Sequence, residues 1–227
     1  MDAYTTHNIK YDLIPQECIN LPAALERAGF PITNILHEIV SDKNLSDGFD
    51  YIISHLDTKE QREKYYSRDN PEKGERDKRA LLAKLKKELE KGIFRIRPEN
   101  IREMIVDDGP KIRIVQAPRV YYRIGCHVIM VVVEKYVNPT LIVNTAASIK
   151  GRGMHWLYHR MTEDYDNVPE LMDFYYKNDI KGYYDNISQE RMKRIIRQYI
   201  ADPVVLGFLD NFITLLKSGI SKGLRSS

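Results

Sequence analysis

The stretch "YYKNDIKGYYDNISQERM", residues 175–192, decides how the chain is read. An aromatic run leads to Asp179, Gly182 offers a turn, and Ser188 can cap a helix that starts just after it. The pattern predicts a strand over "LMDFYYKNDI", 171–180, then a turn and an amphipathic helix. In that helix Met192, Ile195, Ile196, Tyr199 and Ile200 recur at helical spacing. A carboxylate beside so much apolar surface is costly to bury unless it is paired or binds a cation. At a cleft it would suit a hard cation such as Mg2+, which keeps waters and meets phosphate oxygens. Taken alone, the stretch fits equally well an aspartate making a structural hydrogen bond at a turn.

Composition sets the bounds. A chain of 227 residues can build one substantial core or two small lobes. The apolar run "HVIMVVV" is far below the roughly 20 residues that cross a bilayer, so no membrane partner is expected. The N-terminus "MDAYTTHNIKYD" has neither the basic start nor the apolar stretch of a secretory signal. Cys18 and Cys126 form no metal or disulfide spacing, and a cytoplasmic protein with reduced thiols is the expectation. The net charge of +3 is unevenly spread: residues 1–70 hold 7 Lys+Arg against 12 Asp+Glu, and residues 71–227 hold 28 against 20. Such a split fits a later part that meets a polyanion, or an uneven but solvated surface.

Along the chain, residues 1–66 read as helical, with breaks at Pro15, Pro22, Pro31 and "SDKNLSDG". "YYSRDNPEKGERDK", 65–78, reads as a polar linker. In "RALLAKLKKELEKG" Leu82, Leu85 and Leu89 share a helical face and Gly92 offers a stop. The basic excess over Lys73–Lys91 is either a solvated face or a phosphate contact. "EMIV" and "KIRIVQA" predict a hairpin closed by "DDGP", with Lys111, Arg113 and Val115 on one face. Asp107 and Asp108 then read as turn formers rather than metal ligands. "VYYRIGCHVIMVVVEKYV", 120–137, reads as a buried helix, "NTAASIKGRGMH" as a basic glycine loop, and about 203–217 as a last helix. His155 and His159 stand four apart, but without a Glu or Cys set they suit packing or capping better than a metal.

"DIKGYYDNI" closely resembles the first catalytic-aspartate motif of reverse transcriptases, especially the group II intron-like bacterial enzymes. Three further pieces match that family in order. "RIVQAP", from Arg113, resembles a fingers motif, with Arg123 matching an arginine shortly after it. "NTAASIKGRGMH" resembles the next fingers motif, and "GISKGLRSS" the start of the template-and-nucleotide loop. The departures are Lys111 standing in for the usual fingers lysine, Cys126 for a glutamine, and Ser221 and Lys222 for the loop's usual proline and its glutamine or apolar residue.

The resemblance implies an α+β, right-hand polymerase fold: an N-terminal helical extension over 1–70, fingers over 71–165 and a partial palm over 166–227. It implies RNA-directed DNA synthesis on an RNA template and DNA primer, with dNTP and Mg2+. Asp179 would be the catalytic metal ligand. Lys111, Arg113, Arg123, Tyr184 and Gly223 would meet the nucleotide, with the Tyr184 ring under its sugar and Tyr183 packed. Lys150, Arg152, Lys222 and Arg225 would meet nucleic acid. The family's second metal element, an aromatic-x-Asp-Asp turn, has no counterpart in this sequence. The expectation is therefore a polymerase fragment, inactive by itself, with a non-catalytic RNA-binding protein as the alternative.

Overall fold

The computed structural model describes residues 26, 29–56, 58–66, 70–107, 109, 112–141, 145–146, 149–169 and 177–222. Helices dominate, joined by one two-stranded sheet among the described residues, an α+β arrangement. The N-terminal part holds α1 (Leu36–Ile39), α2 (Asp42–Ser54) and α3 (Lys59–Tyr66). The segment "SDKNLSDG" does not break the chain as expected. Ser41 accepts from the Asn44 amide and opens α2, whose Leu45, Phe49, Ile52 and Ile53 then line one buried face.

The linker expected over 65–78 is also corrected. Helix α3 runs to Tyr66, and α4 (Pro71–Glu90) begins at Pro71. Asn70 accepts from the Lys73 amide, and proline at the first helical position needs no amide partner. Lys78, inside the expected linker, reaches both oxygens of Asp50 on α2 at 2.9 Å and so clamps α4 to α2. As read from the sequence, Leu85 and Leu89 face inward, and α4 stops at Gly92, whose amide donates to the Leu89 carbonyl.

The hairpin forms as expected from strands β1 (Ile101–Asp107) and β2 (Ile112–Pro118), antiparallel, with Met104 opposite Val115 and Val106 opposite Arg113. Asp107 shapes the turn by accepting from the Gly109 amide at 2.9 Å. Asp108 and Lys111 lie outside the described residues. Helix α5 (Val120–Val137) coincides with the predicted buried helix, and Ile124 through Ile129 are buried all round it. Packing against it is close. A Cβ on Gly125 would stand 2.2 Å from Phe94 Cζ, and one on Gly48 of α2 2.4 Å from Val128 Cγ1.

Helix α6 (Met154–Asn167) follows the glycine loop. Of the predicted strand 171–180, residues 171–176 lie outside the description, and 177–180 are irregular rather than extended in a sheet. Next come α7 (Tyr183–Asn186), α8 (Gln189–Tyr199) and α9 (Pro203–Ile213), the last shorter than expected. Ser188 caps α8 as predicted, accepting from the Arg191 amide. The α8 stripe grades inward: Tyr199 and Ile200 are buried, while Met192, Ile195 and Ile196 line an apolar groove of about 280 Å³ beside Val133 and Phe212.

One buried cluster takes Ile35 and Phe49 from residues 1–70, Phe94 and Ile124 from 71–165, and Ile200 and Phe208 from 166–227. Each fully buried side chain of this kind contributes about 1.5–3 kcal/mol relative to exposure. Asp202 ties the ends together. It caps α9 through the Val204 and Val205 amides and accepts from Leu36 N, so a buried carboxylate is satisfied by three donors. Beside it, Ile32 bridges Ile200 in parallel.

Candidate functional site

The turn after Asp179 is built locally. Gly182 sits at the head of α7, and its carbonyl accepts from the Asp185 and Asn186 amides. The Asn186 side chain then donates to the Gly182 and Lys181 carbonyls, closing the turn from the other side. Asp179 is exposed and makes no hydrogen bond or ion pair among the described residues. The apolar strand residues 171–176 expected beside it lie outside the described residues. Water solvates Asp179, so no burial penalty demands a partner. Tyr183 and Tyr184 meet edge to face at 5.5 Å, and both are open, 49% and 37% exposed. Tyr183 is therefore not the packed ring that was expected.

A loop from the far end of α9 folds onto this turn. Gln189 at the start of α8 donates to the Leu216 and Gly219 carbonyls, both at 2.9 Å, and holds the loop in place. Ile220 N then donates to the Tyr184 carbonyl at 2.9 Å. Gly219 has φ +66, and a Cβ there would stand 2.4 Å from that same carbonyl oxygen. Only glycine passes so close in that backbone conformation. Lys222 bridges both oxygens of Asp185, at 2.8 and 3.0 Å.

The same loop also reaches the hairpin. Gln116 N donates to the Lys222 carbonyl at 2.7 Å, and Lys222 N donates to Gln116 Oε1 at 3.0 Å. Three of the four motif segments thus meet along one seam: β2 at Gln116, the turn at Tyr184 and Asp185, and the loop at Gly219 to Lys222. None of Gln116, Asp185 and Gln189 was singled out from the sequence. Their polar side chains are ordinary strand and helix residues until the distant partners are known.

The expected site residues fare differently around this seam. By strand alternation, Arg113 projects from the hairpin face shared with Met104 and Val115, opposite the face of Gln116. Lys222, expected to meet nucleic acid, is engaged by Asp185. Arg152 lies over the Trp156 ring, 5.6 Å from its centroid, and Lys150 is exposed in the glycine loop beside it. Gly223 and Arg225 lie outside the described residues, as does Lys111. Arg123 stands apart from the seam, half-buried in a cleft with Lys64, Arg102 and Arg119.

These residues fit Mg2+ only in part. Asp179 offers one open carboxylate, Asp185 is neutralised by Lys222, and no group of three His, Cys, Asp or Glu side chains gathers among the described residues. A two-metal clamp needs carboxylates around both ions, so no metal-dependent step follows from Asp179 alone. His155 and His159 are both exposed on α6. The Cys126 thiol, where the resembled family has a glutamine, is pushed well above its ordinary range by burial against the core. No helix among the described residues is long and apolar enough to cross a membrane. The chain matches no protein-family model and no curated protein.

Proposed function

We propose that the chain is the fingers and leading palm of an RNA-directed DNA polymerase of the reverse transcriptase kind. The seam carries this reading. Segments 36 to 106 residues apart, each picked out by its resemblance to a polymerase motif, are drawn together by direct hydrogen bonds at Gln116, Tyr184, Ile220 and Lys222. In this reading Asp179 supplies one carboxylate for Mg2+, whose chemistry when bound is to neutralise phosphate charge. Tyr184 lies under the incoming sugar, and the Gly219–Lys222 loop shapes the pocket floor. The resemblance alone assigns the phosphate oxygens to the donor fork of Arg113, which leaves the hairpin on the face turned away from Gln116.

A second reading is RNA binding without catalysis. The observation that favours it is the ion pair of Lys222 with Asp185, which occupies the carboxylate of the turn that α7 carries.

One experiment separates the two. A template-primer with a photoreactive nucleotide at the primer 3′ end should crosslink to the 179–184 turn or to the 219–222 loop. A photoreactive dNTP should crosslink to the same turn, less so in Arg113→Ala. Crosslinking of RNA without any dNTP capture at the turn selects the RNA-binding reading. Crosslinks confined to other surfaces defeat both the seam and the roles placed on it.

A further inference from the structure

A second charged feature lies at the base of the hairpin. A cleft of about 480 Å³ opens between α3, the start of β1 and the first turn of α5. Lys64 enters it from α3, Arg102 from β1, and Arg119 and Arg123 from either side of the α5 start. Among the described residues no aspartate or glutamate lines it. Elsewhere the molecule pairs its cations readily: Lys43, Lys78, Lys86, Lys135, Lys193 and Arg197 each reach a carboxylate within 3 Å. The four cations of the cleft make no side-chain hydrogen bond or ion pair among the described residues.

That contrast has a physical meaning. Four like charges facing one concavity repel one another, and low-dielectric walls strengthen the field between them. Folding tolerates such an arrangement where water or an anion screens it. The shape narrows the choice of anion. The volume falls within the small-ligand range of about 300–1,000 Å³, larger than an isolated phosphate requires. Tyr65, half-buried, and Met104 add an apolar wall beside the charges, suited to a base or a ribose. Guanidinium forks from three arginines match phosphate oxygens in pairs. We propose that this cleft binds the phosphates of a nucleotide, either free or within a single strand, with the base or sugar against Tyr65 and Met104.

The proposal goes beyond the polymerase reading, because it needs neither Asp179 nor Mg2+. Three of the four cations, Lys64, Arg102 and Arg119, belong to none of the motifs that carry the resemblance.

The test uses the full chain and two probes, a fluorescent nucleoside triphosphate without divalent metal and a labelled single-stranded RNA oligomer, each titrated by anisotropy. Arg102→Ala with Arg119→Ala removes two exposed cations and leaves the core untouched, so the variant should keep the wild-type circular dichroism spectrum and Tm. A control, Arg191→Ala with Arg194→Ala, removes the same charge from exposed positions on α8. The cleft variant should lose about tenfold or more in affinity for at least one probe, and its salt dependence should flatten by about two phosphate contacts. The control should change affinity by less than about twofold. Loss for the triphosphate alone identifies a free-nucleotide site, and loss for the RNA identifies a strand site. Equal loss in the cleft and control variants, or no binding of either probe to the wild type, overturns the proposal. Crosslinking at the turn reads out the other site separately, so either idea can fail while the other stands.

Discussion

Replacing Gly219 by alanine probes the seam at its tightest point. The new Cβ would stand 2.4 Å from the Tyr184 carbonyl oxygen and 2.8 Å from both Cα and O of Asp185. These are backbone atoms, which cannot swing aside as a flexible side chain does. The left-handed conformation at φ +66 costs an L-residue about 1–2 kcal/mol. Forcing a methyl group into occupied space adds about 1–3 kcal/mol. Gly151→Ala is the matched reference. Its φ of +84 carries the first cost, but no atom of the described residues lies within 4 Å of its Cβ position, so the second is absent. Gly219→Ala should therefore lose about 2–5 kcal/mol and Gly151→Ala about 1–2 kcal/mol. Urea unfolding reads the difference as a midpoint shift at constant slope, and Tm should fall by about 2–4 °C per kcal/mol in a chain of this length. Amide exchange at Ile220 should quicken in Gly219→Ala only, because the Ile220 N–H leaves the Tyr184 carbonyl. Equal destabilisation by the two alanines, with Ile220 still protected, would refute the close approach and the seam built on it.

Two further outcomes follow from other parts of the molecule. Tyr183 and Tyr184 are both open, so truncating either should cost only about 0.5–1.5 kcal/mol, the worth of their edge-to-face contact. In a polymerase carrying the rest of the palm, Tyr184→Ala should raise ribonucleotide incorporation while Tyr183→Ala leaves sugar choice alone. The reverse result moves the sugar contact to Tyr183. Glu38 on α1 accepts from Lys135 and from the Tyr136 hydroxyl, and these hydrogen bonds hold its carboxyl below the ordinary 4.5. A depressed folded-state pKa adds stability above the ordinary value and loses it as pH falls through the folded one. Urea midpoints should therefore show Glu38→Gln less stable than wild type at pH 7, with the gap closing towards pH 3. A gap that stays constant across that range removes the carboxylate from the explanation.

Elements whose signals lie within one or two turns were legible before any coordinates. Helix α5 matched its predicted span because the stretch from Ile124 to Val133 is apolar but for His127, and Pro118 and Pro139 bound it on either side. The Ser188 cap and the Asp107–Gly109 turn were equally local. The linker over 65–78 failed for a reason internal to its residues. Asn-Pro marks a loop and also the first turn of a helix, and only the packing of Lys78 onto Asp50 selects the helix. Tyr183 failed differently: alternation places one ring of a pair inward only if a core lies beneath it, and among the described residues Tyr183 stays 49% exposed.

By itself the sequence determined the buried helix α5, the hairpin, the Ser188 cap and the turn at Gly182. Tertiary structure alone decided what those elements face. Gln116 and Lys222 stand 106 residues apart, and Lys64 and Arg123 of the basic cleft stand 59 apart. Capping and periodicity act between residues three or four apart and leave a signature in residue type. Apart from the Lys222–Asp185 pair, most seam contacts use at least one backbone amide or carbonyl, groups that nearly every residue carries alike, so residue type says little about where the seam forms.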